Sequence, residues 1–497
     1  MTVSVNSAAL AGIDAVLITV ETRVCAGVSY FIVGLPGEAV KESLFRVESA
    51  ITSCGFDMPR QKILISLAPA GIRKEGAVFD LPIALSVLAA SGQLDEALLN
   101  AFVFTGELSL TGKLRAVKGA LSVAVEARRT GMKTLIVPKE NANEAAMVRD
   151  LAVFGFETLR EVVDFLRNPA SVRPAVVANN LNKRPEQLYQ ADLSEVRGQE
   201  KAKRALEVMA AGGHNGLMTG PPGSGKTMLA TRLPGILPPL SLQESLETTR
   251  IYSVAGQLDV TGLVTERPFR APHHTASDIS LVGGGPVAMP GEISLAHNGV
   301  LFMDELPEFK RRVLEVLRQP LEERQIAISR ASYVVNFPAN FVLLAAMNPC
   351  PCGFHGHPNR KCSCTPQAIR LYSSKISGPL LDRIDLYIAV PPADLQAGKT
   401  ESSATVRSRV IAARNLQLER AGVCNALMTN VMLRAYCTLG KTEQEVLNQA
   451  MVQHKLSARS YERVLKMART IADLAGSTTI SLTHLAEAIG YRCLPAV

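Results

Sequence analysis

The stretch GLMTGPPGSGKTMLATRL, residues 216–233, decides how this chain folds. Gly216 to Thr219 is a short apolar run that reads as a strand, and Met228 to Leu233 reads as a helix. Between them Gly220, Pro221, Pro222, Gly223, Ser224, Gly225, Lys226 and Thr227 match G-x-x-x-x-G-K-[ST] at every position. Glycines in such a turn let successive backbone N–H groups curl round an anion, and a helix start favours negative charge. Lys226 would reach the β- and γ-phosphates of a triphosphate, and the Thr227 hydroxyl would ligate Mg²⁺. The cofactors implied are ATP and Mg²⁺.

The turn needs a second half, and the sequence supplies one downstream. In GVLFMDE, residues 299–305, four apolar residues make a buried strand that ends on two acids. Asp304 can hold Mg²⁺, while Glu305 can orient and deprotonate the attacking water. In FVLLAAMN, residues 341–348, a second buried strand ends on Asn348. That amide can hold the lytic water or the γ-phosphate, the sensor-1 role of AAA+ proteins, although an Asn before Pro349 also suits a turn. Hydrolysis further needs positive charge on the transition state, often from a neighbouring subunit. Arg383 in SGPLLDRID (377–385) is a candidate finger, and Arg459 in LSARSY (456–461) a candidate sensor 2. The bland reading of both is a surface salt bridge.

Working outward, 497 residues suggest about three units. Residues 1–168 read as an α/β domain, 169–190 as a Pro-, Asn- and Ala-rich linker or else an irregular surface wrap on a neighbour, 191–392 as the nucleotide-binding core, and 393–497 as a helical lid. In the front domain strands are expected at Ala15–Val20, Tyr30–Val33, Lys62–Leu67, Phe102–Phe104 and Thr134–Val137, with helices at Lys41–Cys54 and Ala116–Arg129. Net charge is +8, which permits nucleic-acid binding without requiring it. No apolar run reaches the roughly 18 residues that span a bilayer. The N-terminus has no basic residue before Arg23, the reverse of a signal peptide, so the cytoplasm is the expected location and disulfides are not expected.

Four of the nine cysteines crowd into residues 350–364: Cys350, Cys352, Cys362 and Cys364. Two C-x-C pairs suit a tetrahedral S₄ zinc site in a knuckle-like insertion, with His355 and His357 as possible substitutes. Reduced thiols in a basic loop are the alternative. Arg360 and Lys361 lie inside this module, where they could meet DNA.

Several longer motifs give the chain a resemblance to the ComM/YifB family of AAA+ proteins, relatives of magnesium chelatase. They are GLPGEAVKE (34–42), LAPA (67–70), KEG (74–76), FDLPIA (79–84), RPFRAPHH (267–274), PGEISLAH (290–297) and the run from Ser377 to Leu386. The resemblance implies a homo-hexameric ring that hydrolyses ATP between subunits. It also implies branch migration of single-, double-stranded or branched DNA during natural transformation, together with recombination proteins and without a membrane. It makes 275–295 a helix-2 insert and Arg324 to Pro338 a hairpin before sensor 1, from which Arg324 and Arg330 could meet phosphates. Adjacent His273 and His274 are expected to point apart and to be structural. Within residues about 60–141, FTGELSLTG (104–112) and GMKTLIVPKEN (131–141) resemble the Lon peptidase domain, of ribosomal S5-like fold. Val78 and Leu121 occupy its serine and lysine positions, and neither side chain can attack a carbonyl or take a proton. The fold expected is α/β throughout: a Lon-like front domain, a parallel-sheet P-loop core and a helical lid. A chelatase-type or protein-remodelling motor is the competing function. A scaffold that uses ATP only as a switch is a third.

Overall fold

A computed structural model describes residues 2–176, 191–258, 262–285, 288–329, 334–392, 401–454 and 456–492. Arg330 and most of the expected linker lie outside them.

The front layer is a seven-stranded mixed sheet. Its order is Tyr30–Val33, Lys62–Ala68, Asp14–Cys25, Thr2–Ala11, Phe102–Phe104, Thr134–Pro138 and Ala152–Phe156. Thr2–Ala11 and Asp14–Cys25 form a long antiparallel hairpin, with Val5 opposite Val20 and Ala8 opposite Leu17. Alternation along Thr2–Ala11 buries Val3 and Val5 on one face, where the helices Ser43–Ser53 and Asp80–Ala90 pack. Two of these strands were not expected from the sequence, Thr2–Ala11 and Ala152–Phe156, nor was the helix Asp80–Ala90. From Asp80 to Ala89 that helix is buried on every side, so it carries no amphipathic stripe. After the helix Leu159–Arg167 the chain turns back, and Ala175 N–H donates to Val153 O at 2.7 Å. The first part of the expected linker is therefore a wrap on the front sheet.

The core is a five-stranded, wholly parallel sheet in the order Phe269–Arg270, Val300–Met303, Val342–Met347, Gly216–Thr219 and Leu386–Ala389. Its central strands are continuous apolar runs because both faces are covered. The fold class is the one the sequence implies, α/β with a P-loop sheet and a helical C-terminal region. The lid helices Ser403–Ala421 and Ala458–Leu474 lie on the core helix Glu200–Gly212. Val410, Val464 and Ile471 join Met209 and Met218 in one apolar cluster, so the lid shares a core with the nucleotide sheet.

Front layer and core also touch. The core helix Leu242–Ala255 packs on the front helix Ala120–Arg129. Arg250 pairs with Asp14 and donates to Ile13 O at 2.8 Å, and Ile13 is buried within a core cluster. Among the described residues, no helix is long and apolar enough to cross a membrane.

Candidate active site

The glycine turn leaves the strand Gly216–Thr219 and enters a helix over Lys226–Ala230, shorter than expected because Pro234 lies just beyond and cannot continue the ladder. Gly225 sits at φ +91°, a left-handed conformation that a side chain would strain. Lys226 Nζ donates to Gly220 O at 2.7 Å, to Pro221 O at 2.9 Å and to Asn348 Oδ1 at 3.2 Å. Burial lowers its pKa, and Asp304 and Glu305 partly oppose that. Thr227 Oγ1 donates to Asp304 Oδ2 at 2.9 Å. The hydroxyl and carboxylate expected to share Mg²⁺ are thus already neighbours. Both are hard oxygen donors, which fits the ion.

Glu305 has φ +51°. Such a backbone costs a non-glycine residue on the order of 1–3 kcal/mol and is found where surroundings impose it. It turns the side chain toward His274, whose Nδ1 lies 3.5 Å from Glu305 Oε2. The two histidines do not point apart. A turn over His274–Thr275 replaces the expected extended chain, and the rings of His273 and His274 lie 4.1 Å apart. His274 therefore contacts the candidate base, a role that residue spacing alone does not reveal.

Arg383 and Arg459 make no hydrogen bond or ion pair with the phosphate turn among the described residues. Arg383 is buried, paired with Glu322 Oε1 at 2.5 Å and donating to Pro379 O at 2.5 Å. Its segment is pinned by Asp385, which ion-pairs with Arg463 of the lid and accepts the Asn215 N–H at 2.9 Å. Burial pushes the Asp385 pKa up, but Arg463 and His214 outweigh it and hold the carboxyl well below its ordinary range. Arg463 stands one helical turn after Arg459, on the same face of Ala458–Leu474. That i+4 spacing was the available signal for it. Arg459 itself is exposed.

The expected DNA contacts divide. Arg324 Nη1 donates to Phe341 O at 2.9 Å at the base of the hairpin Gln325–Ser329 and Val334–Pro338. Burial lowers its pKa, while Nε has no partner among the described residues and the side chain lines an open pocket with Glu244 and Asn340. Arg330 falls outside the described residues. Arg360 and Lys361 are exposed, with Arg360 stacked over Phe354 at 5.1 Å.

Cys350, Cys352, Cys362 and Cys364 bring their sulfurs within 4.8 Å of one another. Sγ–Sγ separations of 3.4, 3.6 and 3.5 Å are near the roughly 3.8 Å edge of a tetrahedron with Zn–S bonds of about 2.3 Å. N–H groups of Phe354 and Ser363 lower the Cys352 thiol to about 5. At Cys362 the Cys364 N–H also pulls down, but desolvation and the sulfurs of Cys352 and Cys350 win and leave it at about 12. His355 and His357 are not part of this group. In the front layer, Leu121 is fully buried and Val78 partly so, which leaves no nucleophile at either position.

Comparison with known proteins covers almost the whole chain. Residues 192–397 match the family described as magnesium chelatase, subunit ChlI; residues 20–141 match subunit ChlI of Mg-chelatase; residues 400–492 match the ChlI C-terminal family. The chain is 46% identical over 497 residues to protein YifB of Salmonella typhimurium, spanning 99% of this chain and 97% of that one. It is 46% identical over 501 residues to competence protein ComM of Haemophilus influenzae, with 99% and 97% covered. A Lon protease of Citrifermentans bemidjiense is 30% identical over 159 residues, 29% of this chain and 20% of that protein. The AAA+ architecture implies an ATPase that uses Mg²⁺. The chain belongs to the ComM/YifB family of magnesium-chelatase-like AAA+ proteins.

Proposed function

We propose that this protein is an ATP-driven DNA motor that works as a homo-hexameric ring and promotes branch migration of recombination intermediates during natural transformation. The observation that carries the reading is the convergence of Lys226 on Asn348 and of Thr227 on Asp304, beside Glu305. Gly220 to Thr227 cradle the triphosphate, Thr227 and Asp304 hold Mg²⁺, and Glu305 draws the proton from a water that Asn348 orients. Arg383 is engaged by Glu322 and Pro379 O and not by its own subunit's turn, and its use is in the neighbouring site. There it exchanges Glu322 for the developing negative charge of the γ-phosphate. Arg459 closes the lid onto the nucleotide. The DNA-directed side rests on the name of the Haemophilus relative, a competence protein, and on the exposed cations Arg360, Lys361 and Arg370. The zinc reading rests on the S₄ donor set. The work is cytoplasmic.

The test is a labelled three-strand or four-way DNA junction incubated with full-length protein, ATP and Mg²⁺, beside K226A and E305Q. Strand exchange by wild type, lost in both variants, supports the motor. Robust phosphate release without any DNA binding at low salt would overturn it in favour of a chelatase-type remodeller.

A further inference from the structure

The cysteine knuckle leans on the phosphate turn. Asn348, which accepts Lys226 Nζ, runs directly into the turn that carries Cys350, Cys352 and Gly353. That turn is closed by Gly353 N–H donating to Cys350 O at 2.9 Å. Gly353 is buried at φ +82°, and a β-carbon placed on it would fall 2.5 Å from Pro222 Cδ and 2.7 Å from Pro222 Cγ. Only a residue without a side chain allows this approach. Pro222 is a rigid ring with fixed φ, so it passes a push into the backbone instead of absorbing it in a rotamer change. The next residue is Gly223, at φ +75°, in the part of the turn meant for phosphate.

We propose that the metal-gathered knuckle is a brace for the nucleotide site, with Gly353 as the positioning residue that seats against Pro222. This rests on the ATP and zinc readings above. With Cys350 and Cys352 drawn onto one ion, the turn that Gly353 closes onto Cys350 O is held in place, and Gly353 fixes Pro222 from outside. With the ion gone, the sulfurs are free to separate, the turn relaxes, and the phosphate-facing N–H groups lose their preset arrangement. Affinity for nucleotide falls because ordering must then occur on binding. Metal occupancy is read out as nucleotide affinity, without any contact between metal and phosphate.

The experiment uses full-length protein, a fluorescent ATP analogue for affinity, and elemental analysis for zinc. Four proteins are compared: wild type, G353A, P222A and the double variant. G353A should keep its zinc and bind the analogue about tenfold more weakly, and P222A, by removing the ring, should restore at least half of that loss. Because alanine at φ +82° could disturb the knuckle itself, a second measurement needs no change at 353. Zinc is withdrawn by a chelator from wild type and from P222A. Wild-type affinity should fall in step with zinc release, and the P222A dependence should be clearly smaller. The inference is overturned if zinc-bearing G353A binds within about twofold of wild type, if the double variant is no better than G353A, or if chelation leaves affinity unchanged. Wild type that carries no zinc overturns the metal reading and the brace with it. Wild type that binds no analogue overturns the ATP reading, so each failure is separately visible.

Discussion

Lys226 in the phosphate turn and Lys74 in the front layer both place an ammonium in a buried setting and hand it to backbone carbonyls. Lys226 Nζ meets Gly220 O, Pro221 O and Asn348 Oδ1. Lys74 Nζ meets Gly34 O at 2.9 Å and Pro69 O. Burial lowers both pKa values. The difference lies in what surrounds them. Lys226 has Asp304 and Glu305 in range and a glycine turn over it, so its donors can be re-aimed at an incoming polyanion. Lys74 is 0% exposed, and its donors tie the Gly34 loop to the Pro69 turn, where no ligand can reach. A buried charge is functional when its partners are exchangeable and structural when they are not.

The comparison can be broken at either end. The largest effect is expected at the exchangeable end, in R383A. Phosphate release by the assembled protein should fall by about 10³-fold or more, the range of an arginine finger, while the affinity for a non-hydrolysable ATP analogue changes little. Equal turnover would leave Arg383 as the Glu322 partner and nothing else. K226A comes next: analogue affinity should drop at least about tenfold, with the thermal midpoint of the apo protein little changed. At the fixed end the pattern reverses. K74M leaves Gly34 O and Pro69 O without a buried donor and should cost on the order of 1–3 kcal/mol, seen as faster hydrogen exchange in Lys62–Ala68 with unchanged analogue affinity. A change in affinity there would sink the distinction.

An effect no larger than that of K74M concerns pH. Asp80 is buried against Arg46, at 2.7 and 2.9 Å, and burial outweighs Arg46 to raise its carboxyl to about 6. The folded state therefore binds this proton more tightly than the unfolded chain does. Stability from this group is present at low pH and is lost as pH rises from about 4 through about 6, by on the order of 1–3 kcal/mol. Exchange of amides in Asp80–Ala90 should quicken over that window relative to D80N, beyond the intrinsic pH dependence. A wild type that instead gains protection relative to D80N would reverse the sign.

What could be read from the sequence follows from how locally each feature is specified. The turn at Gly220–Thr227 and the strands that end on Glu305 and Asn348 are written in consecutive residues, because phosphate geometry fixes their spacing. The four sulfurs are likewise local. Thr2–Ala11 was hidden, since small and polar residues such as Ser4, Asn6 and Ala8 blur its alternation, and Asp80–Ala90 shows no period because every side is buried. Long-range pairings were invisible: Glu322 with Arg383, Arg463 with Asp385, and His274 with Glu305 are joined only once the sheet has formed. The Arg324 bond to Phe341 O was equally invisible, because the two residues meet only when the hairpin closes on the sheet.

The central claim is that one subunit grips the triphosphate and a neighbour's guanidinium completes the site. Mixing two inactive variants tests it most directly. R383A subunits keep an intact Glu305, and E305Q subunits keep an intact Arg383. Equimolar mixed rings should recover phosphate release, up to about a quarter of wild type if subunits assort at random. A mixture no more active than the sum of its two parts would contradict the account.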